Sequence, residues 1–251
     1  MELEFRDQFI AEWNKYFGEA ELPIILYYSN EKMDADILKD GGERCMIGNL
    51  NLVRNGQNLA FTRKTIICRG GKLYSGFSGG KYWKKLPEFL SCGIEGQLEG
   101  ERYLKTPELA KKALDKMPLF STHKKYLIFK RWDKLSSYDE PEVVVFYVSN
   151  DVLAGLYTLA NFDSGGSAMV IAPFASGCGA IISMPLAEVK NENPKAILGM
   201  FDPSARPHIE SDKVTLAIPY KRFKEMVSNI SESFLTTSTW DIIKIRIKTS
   251  P

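Results

Sequence analysis

No stretch of this chain holds eighteen successive apolar residues, the length a membrane-spanning helix needs, so no such span is expected. Histidine is nearly missing, with two in 251 residues. His123 lies among Ser, Thr and Lys, and His208 follows Arg206 and Pro207. Neither has a Ser, Cys or carboxylate partner that sequence can assign, so a hydrolase triad is unsupported. Neither sign of charge prevails: 33 basic and 31 acidic side chains are interspersed along the chain, so no polyanion-binding face is visible and nucleic acid is not an expected partner. The four cysteines, Cys45, Cys68, Cys92 and Cys178, are 23, 24 and 86 residues apart, which fits no zinc-finger spacing. The first residues, MELEFRDQFIAEW, contain acids and no uninterrupted apolar run, so an export signal is not expected. On these grounds a cytoplasmic protein with free thiols is expected rather than a disulfide scaffold.

Nucleotide fingerprints are also missing. In a P-loop, GxxxxGK[ST], backbone N–H groups hold the phosphates and a hydroxyl holds magnesium. Lys81 follows a glycine at the right end of the glycine-rich stretch from Thr65 to Lys81, but Ser75 stands where the first glycine belongs and Tyr82 replaces the Ser/Thr. The dinucleotide pattern GxGxxG is not met either.

What is present is a chain with 44% hydrophobic and 12% aromatic residues, long enough for one large domain. Residues 2–17 repeat apolar side chains at helical spacing and stop at Gly18. Residues 23–31 and 143–151 both read as apolar strands ending in Ser-Asn-acid, and a helix is expected over 151–160. Three further likenesses follow in the same order. Cys45 precedes Cys68 by 23 residues and Cys178 precedes Met200 by 22. Residues 102–114 and 214–226 each read as strand, proline, amphipathic helix. Such order suggests an internal duplication, with 20–118 and 140–231 as half-repeats of one 1–251 domain and 78–98, which contains Cys92, as an insertion in the first half. The predicted fold is α/β or α+β, with a mixed sheet and flanking helices. A helix is expected over 46–56 and extended chain over 59–67 and 196–201. Residues 179–184 read as an apolar segment stopped by Pro185, 161–167 as a simple loop, and 240–248 as an edge strand with Lys244, Arg246 and Lys248 on one face.

The residues so far resemble the uncharacterised prokaryotic family known as domain of unknown function 169, over about Leu22 to Ile230. The likeness rests on Leu22-Pro23, on Cys45 before an apolar helix, and on CysArgGlyGly at 68–71. It continues through Val143–Phe146, Cys178, Leu198-Gly199, Arg206 and Ile218-Pro219. The resemblance implies a cysteine where this chain has Met200, leaving three thiols and a thioether in place of four thiols. The family name implies no activity.

Cys45 and Cys178 are each expected at or just before a helix N-terminus, where the helix dipole favours thiolate. If the halves face one another, Cys45, Cys68 and Cys178 converge with Met200 as a fourth corner. That donor set suits a soft metal ion or an iron–sulfur cluster with an open position. Cysteine is also among the most buried residues and fills core space. Gly70, Gly71 and Tyr74, in a glycine-rich loop over 69–77, and Arg206, as an anion anchor, complete the candidate cofactor site. The expected function is ligand or cofactor binding at this site, with thiolate or metal-dependent redox chemistry if it is an enzyme. The alternative is a small-metabolite binding module whose cysteines are core, and a third reading is a protein-interaction domain using 78–98. A small-molecule ligand is the expected partner. Catalytic residues and oligomeric state are not readable.

Overall fold

The computed structural model describes residues 2–38, 42–165 and 168–249. Gly166 and Ser167 of the expected 161–167 loop, and the side chain of Lys248 in the tail, lie outside the described residues. The seven strands are β1 (Ile24–Ser29), β2 (Leu59–Phe61), β3 (Tyr126–Arg131), β4 (Val143–Val148), β5 (Val170–Ile171), β6 (Ala196–Gly199) and β7 (Val214–Pro219). They form one sheet in the order β2-β3-β1-β4-β7-β6-β5. It is mixed, since β5 and β6 run parallel and the other pairs antiparallel.

Both faces are buried, which is why the central strands read as unbroken apolar runs rather than alternating ones. Along β4, Val144, Phe146 and Val148 point into one core, while Val143, Val145 and Tyr147 point into the other. The first core is covered by α1 (Leu3–Phe17), α6 (Asn150–Asn161), α8 (Tyr220–Ser228) and α9 (Ser238–Thr249). Its centre is aromatic, with Phe9 edge-on to Trp132 and Phe223 and Trp13 stacked on Phe17 at 4.3 Å. The second core is covered by α2 (Met46–Arg54), α3 (Arg69–Tyr74), α4 (Leu86–Phe89), α5 (Pro107–Leu114) and a π-helix over Gly179–Ser183 that runs into α7 (Met184–Glu188). A single α/β domain with a mixed sheet and flanking helices results, as expected.

The opening helix, the two Ser-Asn strands, the helix after β4 and the strand at 196 stand where the sequence pattern puts them. Four expectations are overturned. The 240–248 tail is helix α9, because Trp240, Ile243 and Ile247 at i, i+3 and i+7 reach the first core while Ile242 and Ile245 stay exposed. The 69–77 loop is largely helix α3, with Tyr74 as its last residue. Residues 102–106 form no strand leading into Pro107, since Arg102 takes a left-handed φ of 56° and breaks the extended run. Pro185 does not stop its segment: it sits in the first turn of α7, where its missing N–H is tolerated.

Candidate functional site

Three of the four cysteines belong to the second core. Cys178 is buried and Cys45 and Cys68 are half-buried, whereas Cys92 is exposed. Cys45 is the residue immediately before α2, as the sequence suggests. Its loop is stapled by Asn49: the Glu43 amide donates to Asn49 Oδ1 at 2.8 Å, and Asn49 Nδ2 donates to the carbonyls of Glu43 at 2.8 Å and Cys45 at 3.3 Å. Burial raises the Cys45 thiol. The backbone amides of Ile47 and Gly48 pull the other way, although neither closes a capping hydrogen bond.

Cys68 immediately precedes α3. Two glycines in so short a helix work against helix propensity, yet Gly71 is required by packing. A Cβ there would lie 2.8 Å from Cys68 Sγ and 2.8 Å from Ile66 Cγ2. Gly70 has open space around it. Cys178 lies in the first helical turn before the π-helix, an element that recurs at functional sites. Its thiol is pushed well above the ordinary value, first by burial and then by the charges that Cys68, Cys45 and Asp202 would carry. All three cysteines are thus near enough to sense one another, although their positions span 133 residues.

Met200 follows β6, fully buried, with a left-handed φ of 70°, a conformation that costs a non-glycine residue energy. A Cβ on Gly177 would stand 2.9 Å from Met200 Sδ, which places the thioether against the turn that carries Cys178. Tyr74 shares a hydrogen bond with Ser176, and its phenol is raised by burial and by the nearby Cys178 and Asp202. Asp202 Oδ2 accepts from the Gly177 amide at 3.3 Å, and Ser204 Oγ donates to Asp202 Oδ1 at 2.9 Å. Cys45, Cys68, Gly71, Tyr74, Cys178 and Met200 are therefore drawn to one region. Arg206 is engaged elsewhere. Its guanidinium donates to the carbonyls of Lys213, Glu210 (3.3 Å) and Ser211 (2.7 Å) and ties down its own loop.

Sequence reasoning missed the floor of this region. Tyr147 on β4 pairs in register with Thr215 on β7, which pairs with Gly199 on β6. The Tyr147 hydroxyl and Thr215 Oγ1 are buried without a hydrogen-bond partner among the described residues. Burial raises the Tyr147 phenol, which also senses Cys178. Beyond Tyr147, Arg54 lies over its ring, 4.3 Å from the centroid. Arg54 is held by Glu21 at 2.6 Å and Glu210 at 2.7 Å. These residues, with Glu43 and His208, line a cleft of ≈ 680 Å³. His208 Nδ1 lies 2.8 Å from Glu43 Oε2, a partner 165 positions away that spacing could not assign. A signal for Tyr147 did exist: it is the one hydroxyl in the strand VVVFYV.

Among the described residues, no group of three or more His, Cys, Asp or Glu is arranged to hold a metal ion. The three thiols share one region without forming a coordination set.

The family model for domain of unknown function 169, described as uncharacterised ArCR, matches residues 17–229. The chain belongs to this family. No curated protein and no solved structure matches it significantly. Among the described residues, no helix is long and apolar enough to cross a membrane.

Proposed function

We propose that this member of the family binds a ligand or cofactor against Cys45, Cys68 and Cys178, beneath α2, α3 and the π-helix. The observation that carries the reading is the pair of partnerless hydroxyls, Tyr147 and Thr215, on the sheet face that these thiols cover. A buried hydroxyl without a partner costs about 1–3 kcal/mol. A bound polar group or water is the usual account of such a cost. The π-turn after Cys178 and the left-handed Met200 are two further local departures from regular backbone in the same region.

A soft ion or an iron–sulfur cluster would draw on the three thiols, with Met200 as a thioether donor, and would supply redox or Lewis-acid chemistry. Because these residues do not form a coordination set as they stand, no step is assigned to such a group. A second reading, small-metabolite binding with the cysteines as core, is favoured by the apolar wrapping and raised thiol of Cys178.

The sheet also supports treating the halves as versions of one architecture. β1 and β4 lie side by side at its centre, flanked outward by β3 and β2 on one side and by β7 and β6 on the other. In that arrangement β3 stands beside β1 as β7 stands beside β4.

Anaerobic purification, followed by metal analysis, an absorption spectrum and mass spectrometry of released small molecules, tests the proposal. A bound species that is lost from the Cys45→Ser, Cys178→Ser double variant is the expected result. A preparation free of metal, chromophore and small molecule, with a double variant as stable as the parent, would overturn it.

A further inference from the structure

The glycine-rich stretch that fails as a P-loop borders a second cleft, of ≈ 640 Å³, which shares no lining residue with the one beside Arg54. Its cations come from two segments distant in sequence. Arg63 and Lys64 lie in the turn after β2, and Lys124 and Lys125, next to the His123 imidazole, lie in the approach to β3. Among the described residues none of the four makes an ion pair and no carboxylate lines the cleft, although the Glu142 carboxyl, raised by burial, is near enough to be drawn back by Lys124. In a chain whose charges nearly cancel overall, four cations lining one hollow are a local concentration of positive charge.

The walls are braced before any ligand arrives. The Thr62 amide donates to Thr65 Oγ1 at 2.8 Å and the Lys64 amide donates to Thr62 Oγ1 at 3.2 Å, which fixes the first turn. The Lys124 amide donates to Thr122 Oγ1 at 3.1 Å, and the Thr122 amide donates to the Gly76 carbonyl at 3.3 Å, joining the second wall to the glycine segment. Between Gly76 and Gly79, Ser78 Oγ is buried with no partner among the described residues. A side chain at Gly79 would meet nothing within 4 Å, so a ligand can approach the backbone there. Phe77 adds aromatic surface to the same cleft, while Tyr126 borders it with its ring packed on the first core, across the sheet.

We propose that this cleft binds a small phosphorylated metabolite bearing a flat ring, of the size of a nucleotide. The cations would take the phosphates, and Phe77 the ring. The volume falls in the range of small-molecule sites, about 300–1,000 Å³. The observations favour a small molecule over a nucleic-acid strand because the cations converge on one hollow rather than forming a stripe. The proposal is independent of the sulfur region.

Titration calorimetry with ATP, with tripolyphosphate and with a single-stranded oligothymidylate tests it on the full chain. ATP is expected to bind one to one, more tightly than tripolyphosphate, and less tightly as salt rises. The Lys64→Glu, Lys125→Glu double variant should weaken ATP at least about tenfold, since two charge-assisted contacts are reversed. A charge-matched control, Lys84→Glu with Lys105→Glu, should stay within about twofold. Arg63→Gln with Lys64→Gln, confined to the exposed turn, provides a second measurement if the first variant misfolds. No binding of ATP, equal losses in cleft and control variants, or an ATP affinity no better than that of tripolyphosphate would overturn the proposal. So would an oligothymidylate that binds more tightly than ATP.

Discussion

Replacing Tyr147 by Phe removes one buried oxygen and nothing else of consequence. The ring stays in the second core, under the Arg54 guanidinium, and only the hydroxyl that lacks a partner is lost. In the unfolded chain that hydroxyl is bonded to water; on folding it is stripped and left unpaired, at about 1–3 kcal/mol. Part of this returns as packing around the oxygen, so Tyr147→Phe should stabilise the ligand-free protein by about 1 kcal/mol. For a chain of this size that is a rise in Tm of about 2–4 °C. Urea unfolding gives the same quantity as a shift of midpoint at constant slope. Thr215→Val, directly across the strand pair, should act in the same direction. The proposed ligand uses the hydroxyls in the opposite sense, so both variants should weaken retention of whatever copurifies. A fall of about 1 kcal/mol or more in either single variant of the ligand-free protein would refute the reasoning, because it would mean that the hydroxyl is satisfied in the folded state.

Further expectations test the surrounding framework. Lys130 and Asp139 are fully buried and paired at 2.9 Å, so Lys130→Met alone should cost about 3–5 kcal/mol in chemical denaturation; adding Asp139→Leu should recover little, because the Tyr27 hydroxyl and the Ser136 amide then lose their acceptor. Burial alone would raise the Glu210 carboxyl from its ordinary 4.5, but the hydrogen bonds from Arg54 outweigh it and hold the group at about 2. Its contribution is therefore present above pH 4.5 and lost as pH falls from there through 2, and Arg54→Met should flatten stability against pH in that window. Under native alkylation read by mass spectrometry, exposed Cys92 should be modified first and Cys178, buried and with a raised thiol, last. Met200→Cys supplies a fourth thiol and should raise bound metal per chain in anaerobic preparations; an unchanged content would count against the soft-ion reading. Trp240→Ala should cost about 3–5 kcal/mol, since the indole stacks edge-on to Phe17 and Phe234 and donates to the Tyr16 carbonyl at 2.7 Å.

Where one periodicity governed a segment, the sequence was readable. β4 is buried on both faces and shows as an unbroken run, and α1 repeats its aromatics at helical spacing. The tail was not readable because its isoleucines satisfy two periods at once. Alternation with Lys244 and Arg246 mimics a strand, while Trp240, Ile243 and Ile247 fit a helix, and only the Gly155 side of α6 decides between them. A Cβ on Gly155 would be 2.4 Å from Trp240 Cη2 and 2.8 Å from Phe17 Cε1, so that glycine is a socket for the indole. The CysArgGlyGly segment misled for a related reason. Its glycines suggest a flexible loop, yet Gly71 is small because Cys68 and Ile66 fill the space beside it.

The same distinction explains which parts of the candidate site were visible. Cysteine is rare and could be followed from sequence to Cys45, Cys68 and Cys178, whose chemistry belongs to the residue itself. Tyr147 and Thr215 matter only through register: shifting β7 by one residue along β4 would turn Thr215 into the first core and put Leu216 beneath the thiols. The register is secured by Leu216 and Ile218, which fill the first core from the opposite face, so apolar packing on one side fixes two unpaired hydroxyls on the other. A polar residue that the packing forces into place, without providing a partner, is a cost that a bound ligand can offset. The sheet floor, more than the sulfurs above it, is therefore the sharper test of whether this face of the protein binds anything.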